Sequence, residues 1–372
     1  MTGTRAPGAT IMSNATDLRS LLGIEHPIIQ APMADSTTPE LVAAVSNSGG
    51  LGSLGAANMT PGQISDAIAR IRELTDRPFN VNLFAGGREE RNVDPQTMLE
   101  VLGPWHAELV IPVPEIPAAM DDPFPDQLEA VIQAAPPVFS FTFGMPGPEA
   151  FTRLKELGIV IIGTATTVAE ARMLVDAGAD AVVAQGAEAG GHRGTFSASI
   201  EDAMIGTMAL VPQVVDAVTV PVIASGGIMD GRGIVAAMAL GASAVQMGTA
   251  FLACEEASVP SAYRAALRQT TGEHTRITRA FSGRHARGIA NEFIDAWKNR
   301  EDDILPFPLQ NAATRPLRNA ASAANDPRFL SMWAGQGAAL ARTPHPAADM
   351  MRQLLQEMDE SLHRMTRSAP ST

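Results

Sequence analysis

The sequence of 372 residues contains a single cysteine, a single tyrosine and no long apolar run. Because Cys254 has no partner cysteine in the chain, an intramolecular disulfide is excluded, and the composition fits a reducing compartment. No uninterrupted stretch reaches the roughly 18 apolar residues that a transmembrane helix needs, and residues 1–20 lack the apolar core of a secretory signal. We therefore expect a cytoplasmic protein without a membrane partner.

Several sequence signatures of function are also missing. The chain has no Gly-x-Ser-x-Gly elbow, no Walker loop and no Cys/His cluster with metal-ligand spacing, so no metal site is predicted. The formal net charge is −13, which argues against nucleic acid as the main partner.

Short apolar runs alternate with helical patterns over most of the chain. Eight runs are mostly apolar rather than alternating in polarity, as expected for strands of a parallel sheet that is buried on both faces. Such strands alternating with helices predict an α/β fold, a (β/α)₈ TIM barrel. A doubly wound open sheet is the alternative, but no Gly-x-Gly-x-x-Gly opens a helix near the start. The predicted strands are Pro27–Met33, Leu51–Leu54, Phe79–Phe84, Pro137–Phe143, Ile159–Gly163, Ala181–Gln185, Pro221–Ala224 and Ala244–Met247.

Composition divides the chain into four segments. Residues 1–20 are rich in Gly, Thr, Ala and Asn, which predicts a disordered tail, and residues 21–257 form the predicted barrel. Residues 258–342 are predicted to form a partly helical cap over the barrel mouth. Residues 343–372 contain a C-terminal helix and a tail.

Five stretches are assigned from local composition and periodicity. Gly86–Asp126 is rich in Pro, Asp and Glu and is predicted to be an insertion or long loop. In the cap, Ala262–Arg268 and Gly288–Lys298 are predicted helices, whereas the Pro-, Asn- and Ala-rich Pro306–Pro327 is predicted to be irregular. Met350–Met365 is predicted to be the amphipathic terminal helix.

The most distinctive stretch is QGAEAGGHRG, residues 185–194, directly after the sixth predicted strand. In α/β folds, ligands bind at loops just past the C-terminal ends of strands. The glycines of this loop allow the backbone to approach a ligand closely. His192 is therefore the first candidate for acid–base chemistry, because imidazole titrates near neutral pH. Glu188 and Arg193 beside it are candidate ligand contacts, although a loop salt bridge is the expected role of either. The other histidines are expected at the surface, namely His26, His106, His274, His285, His345 and His363.

Two later loops predict a phosphate site. Gly226 and Gly227 follow the seventh predicted strand, and Gly248 and Thr249 follow the eighth. Barrels commonly hold phosphate with these two loops and a helix N-terminus, where free N–H groups and the helix dipole favour an anion. A tight turn between strand and helix is the simpler explanation of the glycines.

Three side-chain amides lie within or at the end of apolar strands. Asn82, Gln185 and Gln246 would be costly to bury without hydrogen-bond partners. We expect them to bind a heteroaromatic ring such as a flavin, although neighbouring backbone groups are the alternative partners for each one. Cys254 is expected to be a small packed residue.

The order of eight short motifs resembles nitronate monooxygenase, a family formerly called 2-nitropropane dioxygenase. The resemblance covers about residues 20–342, and the glycine-rich motifs are its most specific part. The motifs are QAPMA (Gln30–Ala34), GGLGSLG (Gly49–Gly55), NVNLF (Asn80–Phe84), FSFTFG (Phe139–Gly144), QGAEAGGHRG (Gln185–Gly194), ASGGI (Ala224–Ile228), QMGTAFL (Gln246–Leu252) and WAGQG (Trp333–Gly337).

The resemblance implies an FMN-containing barrel that oxidises alkyl nitronates with O₂ to carbonyl compounds and nitrite. By position, His192 falls on the family's catalytic histidine. It would act as a positive or hydrogen-bonding partner of the anionic nitronate, or as the base that deprotonates a neutral nitroalkane. The residues that the resemblance assigns to FMN fall into three groups: Ala31, Pro32 and Met33 lining the isoalloxazine, Asn82 and Gln185 hydrogen-bonded to it, and Gly190, Gly227, Gln246, Met247, Gly248 and Thr249 around the ribityl phosphate and ring edge.

Two departures from the family leave the substrate open. Thr142 stands where some members carry a second histidine. Bacterial relatives often have several tyrosines and a lysine in the cap near the flavin, whereas the only tyrosine of this chain is Tyr263. The alternative function is an FMN-dependent NAD(P)H oxidoreductase of the enoyl-acyl-carrier-protein reductase or quinone reductase type. A flavin-binding protein without turnover is disfavoured by the intact His192. Barrels of the IMP dehydrogenase type need a loop cysteine, and Cys254 is misplaced for that role. A homodimer is left open.

Overall fold

Eight parallel strands form the centre of the computed structural model, which describes residues 17–86, 95–113, 116, 120–341 and 343–368. In chain order, the strands of this parallel sheet and of a separate three-stranded antiparallel sheet are β1 (Ile28–Gln30), β2 (Gly52–Gly55), β3 (Phe79–Phe84), β4 (Val138–Thr142), β5 (Val160–Ala165), β6 (Ala181–Gln185), β7 (Gly191–His192), β8 (Val222–Ser225), β9 (Ala244–Met247), β10 (Thr275–Thr278) and β11 (Ala286–Ile289). The antiparallel sheet consists of β7, β10 and β11. The helices are α1 (Leu18–Leu22), α2 (Pro39–Asn47), α3 (Pro61–Leu74), α4 (Pro95–Glu108), α5 (Phe124–Ala134), α6 (Pro148–Glu156), α7 (Val168–Asp176), α8 (Thr207–Val215), α9 (Gly231–Ala239), α10 (Ser261–Gln269), α11 (Glu292–Ala296), α12 (Leu309–Ala324) and α13 (Ala347–Ser368).

The parallel sheet closes on itself. Its strand order is β1-β9-β8-β6-β5-β4-β3-β2, and a parallel bridge between Ile29 and Leu51 joins β1 to the chain just before β2. The predicted (β/α)₈ barrel is therefore confirmed, and the open-sheet alternative is wrong. All eight predicted strands are present; β3, β6 and β9 have the predicted ends, and the others have shifted ends. Helix α8 is an additional element that the sequence pattern did not predict.

Side-chain alternation along the strands divides the barrel interior into two layers. The lower layer is apolar and contains Val183 and Ile223, and α1 closes it from below with buried Leu18 and Leu22. Residues 17–20 therefore belong to the fold, although they fall in the predicted tail, and residues 1–16 of that tail lie outside the described residues. The upper layer is polar, and its side chains line the cavity described below.

A second hydrophobic cluster forms above the barrel, mainly from the residues after 258. It contains large buried aromatic residues, including Phe281, Phe293, Trp297 and Phe329. The antiparallel sheet β10-β11-β7 connects this cluster to the loop after β6, because β7 carries His192. The upper part of the molecule thus has a core of its own and is joined to the barrel beside the candidate histidine.

The structure corrects two assignments in this upper part. Pro306–Pro327 is not irregular, because it contains the 16-residue helix α12. Ala313, Leu317 and Ala321 recur every fourth residue and are buried, while Pro316 lies inside the helix, where it would ordinarily disfavour one. Gly288–Lys298 is only partly helical, since Gly288 belongs to strand β11 and the helix α11 is confined to Glu292–Ala296.

Other assignments outside the barrel strands have mixed outcomes. Helix α10 agrees with the predicted Ala262–Arg268, and α13 contains the predicted Met350–Met365. The predicted long loop Gly86–Asp126 contains helix α4, in which His106 is buried rather than at the surface. None of the helices in the described ranges combines the length and hydrophobicity that a membrane crossing requires.

Candidate active site

A cavity of about 920 Å³ opens at the C-terminal end of the barrel strands. This is the end at which α/β barrels carry their active sites. The cavity lining brings together His192 and the residues predicted to bind the cofactor, with the exception of Met247. These are Ala31, Pro32, Met33, Asn82, Gln185, Gly190, Gly226, Gly227, Gln246, Gly248 and Thr249.

Met247 is placed elsewhere by the strand alternation. Gln246 faces the cavity, so the side chain of the next residue points outwards, where Met247 is buried in the core between the sheet and the helices. Its carbonyl oxygen accepts a hydrogen bond of 2.9 Å from the N–H of Ala31. Met247 therefore supports the β1 end of the cavity and does not line it.

The two predicted phosphate loops lie side by side, because β8 pairs with β9. Gly226 and Gly227 have φ of 120° and 71°, a conformation that favours glycine. No protein oxygen in the described ranges accepts a hydrogen bond from the N–H of Gly227, Gly248 or Thr249. These N–H groups are the donors available to an anion.

The helix N-terminus expected at this site is already capped. The carboxylate of Asp230 accepts hydrogen bonds from the N–H groups of Arg232 and Gly233 at the start of α9. Because these donors are already bound by the carboxylate of Asp230, they are not free to bind an anion. An anion at this site would depend on the loop N–H groups alone.

The amide of Gln185 forms hydrogen bonds with the loop that follows its own strand. Its Nε2 donates to the carbonyl oxygen of His192 at 3.0 Å, and its Oε1 accepts from the N–H of Gly194 at 2.8 Å and from Arg193. Gln185 therefore has protein partners in this structure, and its Nε2 keeps a second N–H donor at the cavity lining. The Nδ2 of Asn82 donates to Ser140 at 2.9 Å.

The predicted loop salt bridge between Glu188 and Arg193 is wrong. Arg193 is buried and donates to the carbonyl oxygens of Gln185 and Ala203, and its burial lowers its pKa to about 10. Glu188 accepts 2.8 Å hydrogen bonds from the N–H and the hydroxyl of Thr207. Both charged groups thus fix the loop backbone, because each binds N–H, hydroxyl or carbonyl groups of the chain.

Gly190 allows protein backbone, and not only a ligand, to approach the loop. A Cβ atom at this position would lie 2.5 Å from the nitrogen of Gly335 and 2.6 Å from the carbonyl carbon of Ala334. The N–H of Gln336 also donates to the carbonyl oxygen of Glu188 at 2.9 Å. The WAGQG motif therefore packs directly on the loop after β6.

His192 lies in an enclosure of aromatic side chains. Its ring centroid is 5.9 Å from that of Phe84, 5.5 Å from that of Phe143 and 5.4 Å from that of Trp333. Its Nε2 is 2.8 Å from the hydroxyl oxygen of Ser282. These partners come from distant parts of the chain, so no local sequence pattern predicts their contact with His192.

The enclosure controls the charge of the imidazole. Burial, with smaller effects from the cations Arg284 and Arg318, lowers the pKa of His192 to about 3. His192 is therefore neutral at pH 7 and cannot attract a nitronate as a cation. It retains the ability to accept a proton or to form hydrogen bonds.

The single tyrosine and the single cysteine have different positions. Tyr263 donates a hydrogen bond to the carbonyl oxygen of Trp333 and so anchors that residue at the cavity wall. Cys254 is buried, as predicted, and burial raises its pKa to about 12. In the part of the chain that the structure describes, no group of three or more His, Cys, Asp or Glu side chains is arranged to hold a metal ion.

The chain matches one family over most of its length. The model of the family described as nitronate monooxygenase matches residues 15–357. A protein of Staphylococcus aureus (strain Newman) named probable nitronate monooxygenase is 44% identical over 351 residues, which cover 94% of this chain and 99% of the relative.

Solved structures give a consistent comparison. The nitroalkane oxidase from Streptomyces ansochromogenes superposes with a TM-score of 0.87 at 39% identity, over 94% of this chain and 100% of the other. FabK from Thermotoga maritima superposes with a TM-score of 0.76 at 33% identity, over 95% of this chain and 98% of the other.

Proposed function

Because the chain belongs to the nitronate monooxygenase family of flavin-dependent oxidoreductases, we propose that it uses FMN to oxidise alkyl nitronates with O₂ to carbonyl compounds and nitrite. The proposed partners are these small molecules alone. Neutral nitroalkanes are proposed as further substrates, which is consistent with the structural similarity to a nitroalkane oxidase.

The cavity suits FMN in both its polar and its apolar parts. We propose that the N–H groups of Gly227, Gly248 and Thr249 bind the phosphate, since they have no protein acceptor in the described ranges. Met33 and Gln246 line the same cavity and would contact the ring. When bound, FMN supplies the electron chemistry between the substrate and O₂.

The proposal for chemistry depends on one observation: the imidazole of His192 lines the cavity, with its Nε2 held 2.8 Å from the hydroxyl oxygen of Ser282. We propose that His192 removes the α-proton of a neutral nitroalkane, and that it hydrogen-bonds a nitronate, whose proton is already gone. The rings of Phe143 and Trp333 pack beside the imidazole, with ring centroids 5.5 and 5.4 Å from its own, and so limit its solvation. We also propose that residues 258–342 act as the cap, because Ser282 and Trp333 reach the cavity from this segment.

The direct test is turnover with product analysis. Purified protein loaded with FMN should consume O₂ and release nitrite when an alkyl nitronate is added, and the bound flavin should be identified after denaturation. Absence of both nitrite release and O₂ consumption with a series of nitronates would reject the proposed reaction.

Ser282 is proposed to set the tautomer of His192. Its hydroxyl oxygen lies 2.8 Å from Nε2 of His192 and 3.2 Å from the carbonyl oxygen of Arg284. We infer that the hydroxyl donates to this carbonyl, so that Nε2 carries the hydrogen and Nδ1 keeps the basic lone pair.

The Ser282→Ala variant should therefore impair proton removal selectively. We expect kcat for a neutral nitroalkane to fall about 10-fold, with KM changed less than about 2-fold, because the base loses its orientation. Steady-state kinetics with both substrate forms checks this, and Ser331→Ala, at another position of the cavity lining, is the control. An equal loss with the nitronate would show that Ser282 has only a structural role.

The low pKa of His192 predicts a simple pH profile. An ordinary histidine changes charge near pH 6.5, whereas His192 with a pKa of about 3 stays neutral from pH 5.5 to 7.5. Since kcat/KM reports groups of the free enzyme, its profile for a nitronate should show no inflection near pH 6.5. The prediction is wrong if such an inflection is present and disappears in His192→Asn.

A further inference from the structure

The cavity contains a cation that the proposed chemistry does not use. Arg318 lies on α12 and lines the cavity together with Asn311 from the same helix. Its Nε donates to the hydroxyl of Thr314 at 3.2 Å, and its Nη2 donates to the carbonyl oxygen and to Oδ1 of Asn311 at 2.9 and 2.6 Å. These neutral acceptors fix the orientation of the guanidinium without balancing its charge.

The charge of Arg318 has no close counter-ion among the described residues. No carboxylate in the described ranges lies within 4.0 Å of its guanidinium, whose hydrogen bonds come from Nε and Nη2 and leave Nη1 without an acceptor there. Asp35 lines the same cavity, but its carboxylate accepts a hydrogen bond from Asn58 at 2.8 Å and acts on Arg318 only at longer range. A desolvated cation without a counter-ion is costly, so an anionic ligand at this position would stabilise it.

Arg318 differs from Arg284 and His192, the other groups near the cavity that could carry a positive charge. Burial, together with the neighbouring Arg315, lowers the pKa of Arg318 to about 10, so the group remains charged at pH 7. The guanidinium of Arg284 stacks over the rings of Phe143 and Phe307, at 4.4 and 5.2 Å from their centroids. His192 is neutral. Arg318 is therefore the cation that faces the cavity in the described ranges.

We propose that Arg318 is the anion subsite of the cavity and that it selects nitronates over neutral nitroalkanes. A nitronate carries two oxygen atoms in one plane on its nitrogen, which is the arrangement that a guanidinium binds through paired N–H groups in a carboxylate. In this assignment Arg318 supplies the charge and His192 supplies the base. The inference rests on the proposed function, which provides the anionic substrate.

The test compares both substrate forms in the FMN-loaded enzyme. Arg318→Gln should lower kcat/KM for a nitronate by about 10- to 100-fold, mainly through KM, since hydrogen bonds to charged groups are lost. The value for the corresponding neutral nitroalkane should change less than about 3-fold. Arg318→Lys should restore only part of the loss, because lysine keeps the charge but not the planar pair of donors.

Arg315→Gln is the matched control, because Arg315 is an exposed arginine on the same helix and its removal changes the net charge equally. It should leave both substrates unaffected. Equal losses with the nitronate and the nitroalkane in Arg318→Gln would overturn the proposal. Loss of bound FMN from Arg318→Gln would also overturn it, because the cation would then serve the cofactor phosphate.

Binding of nitrate gives a readout that does not depend on turnover. Nitrate is a planar anion with the same O–N–O geometry, and it should raise the melting temperature of the wild type and of Arg315→Gln but not of Arg318→Gln. If no nitronate is oxidised, the proposed function fails while this binding test still decides the role of Arg318. Equal shifts in all three proteins would overturn the anion subsite.

Discussion

Replacing His192 with asparagine should lower kcat/KM for a neutral nitroalkane by about 10²- to 10⁴-fold, the usual contribution of a positioned general base. The carbonyl oxygen of His192 binds Gln185, and its backbone pairs with Ala286 in the small sheet, so the variant keeps the contacts that fix the loop. The loss should therefore come from the missing imidazole and not from a misfolded loop.

The same variant should oxidise a preformed nitronate with a smaller loss, about 10-fold, because that substrate needs no proton removal and loses only a hydrogen bond. Steady-state kinetics with the two substrate forms measures the difference. His363→Asn is the control, since His363 is exposed on α13. Unchanged activity of His192→Asn on the neutral nitroalkane would remove His192 from the mechanism.

Gly190→Ala is expected to separate the WAGQG segment from the loop after β6. The added Cβ would lie 2.5 Å from the nitrogen of Gly335, and backbone atoms cannot rotate away as a side chain can. Such overpacking costs about 1–3 kcal/mol, which corresponds to a fall of roughly 5 °C in melting temperature for a chain of this size. The shift would also move Trp333 relative to His192, whose rings are 5.4 Å apart.

The activity of Gly190→Ala should therefore fall about 10-fold or more for both substrate forms, because small displacements in an active site are costly. Gly62→Ala is the matched control: Gly62 lies in α3, and an added Cβ there meets nothing within 4 Å. Differential scanning fluorimetry and turnover together check the prediction. A wild-type melting temperature and activity in Gly190→Ala would contradict the close backbone contact.

The barrel was predictable because its signal is local. Each strand is a short apolar run followed by a turn, so β6 and β9 coincide with the predicted ranges. The same alternation places the side chains of Gln246 and Met247 on opposite sides of the strand, so a motif alone does not distinguish a side chain that lines the cavity from one that packs behind it.

The upper part of the site was less predictable because it depends on contacts between distant segments. The sequence pattern does not predict helix α12, because its buried face combines two alanines and one leucine with the polar Gln310 and Thr314, and the segment contains Pro316. As a result, Arg318 was not recognised as a residue of the cavity. The depressed pKa of His192 arises from packing against Phe84, Phe143 and Trp333, which no local pattern reveals.

The glycines after β6 show how one pattern can have two causes. Gly190 and Gly191 are adjacent, but Gly190 meets the backbone of Gly335, whereas Gly191 has φ of 73° and faces open space. A sequence shows that small residues are needed there, but it does not show whether a ligand or another part of the chain comes close. The WAGQG motif was identified by resemblance, and its contact with this loop became evident only in the structure.

The central claim is that nitronates, and not nicotinamide nucleotides, deliver electrons to the flavin. Mixing the FMN-loaded protein anaerobically with a primary alkyl nitronate should bleach the flavin absorbance rapidly, whereas NADH should leave it unchanged. Fast bleaching by NADH without any response to the nitronate would contradict the account and favour the NAD(P)H oxidoreductase alternative. A protein that takes up no FMN would contradict both.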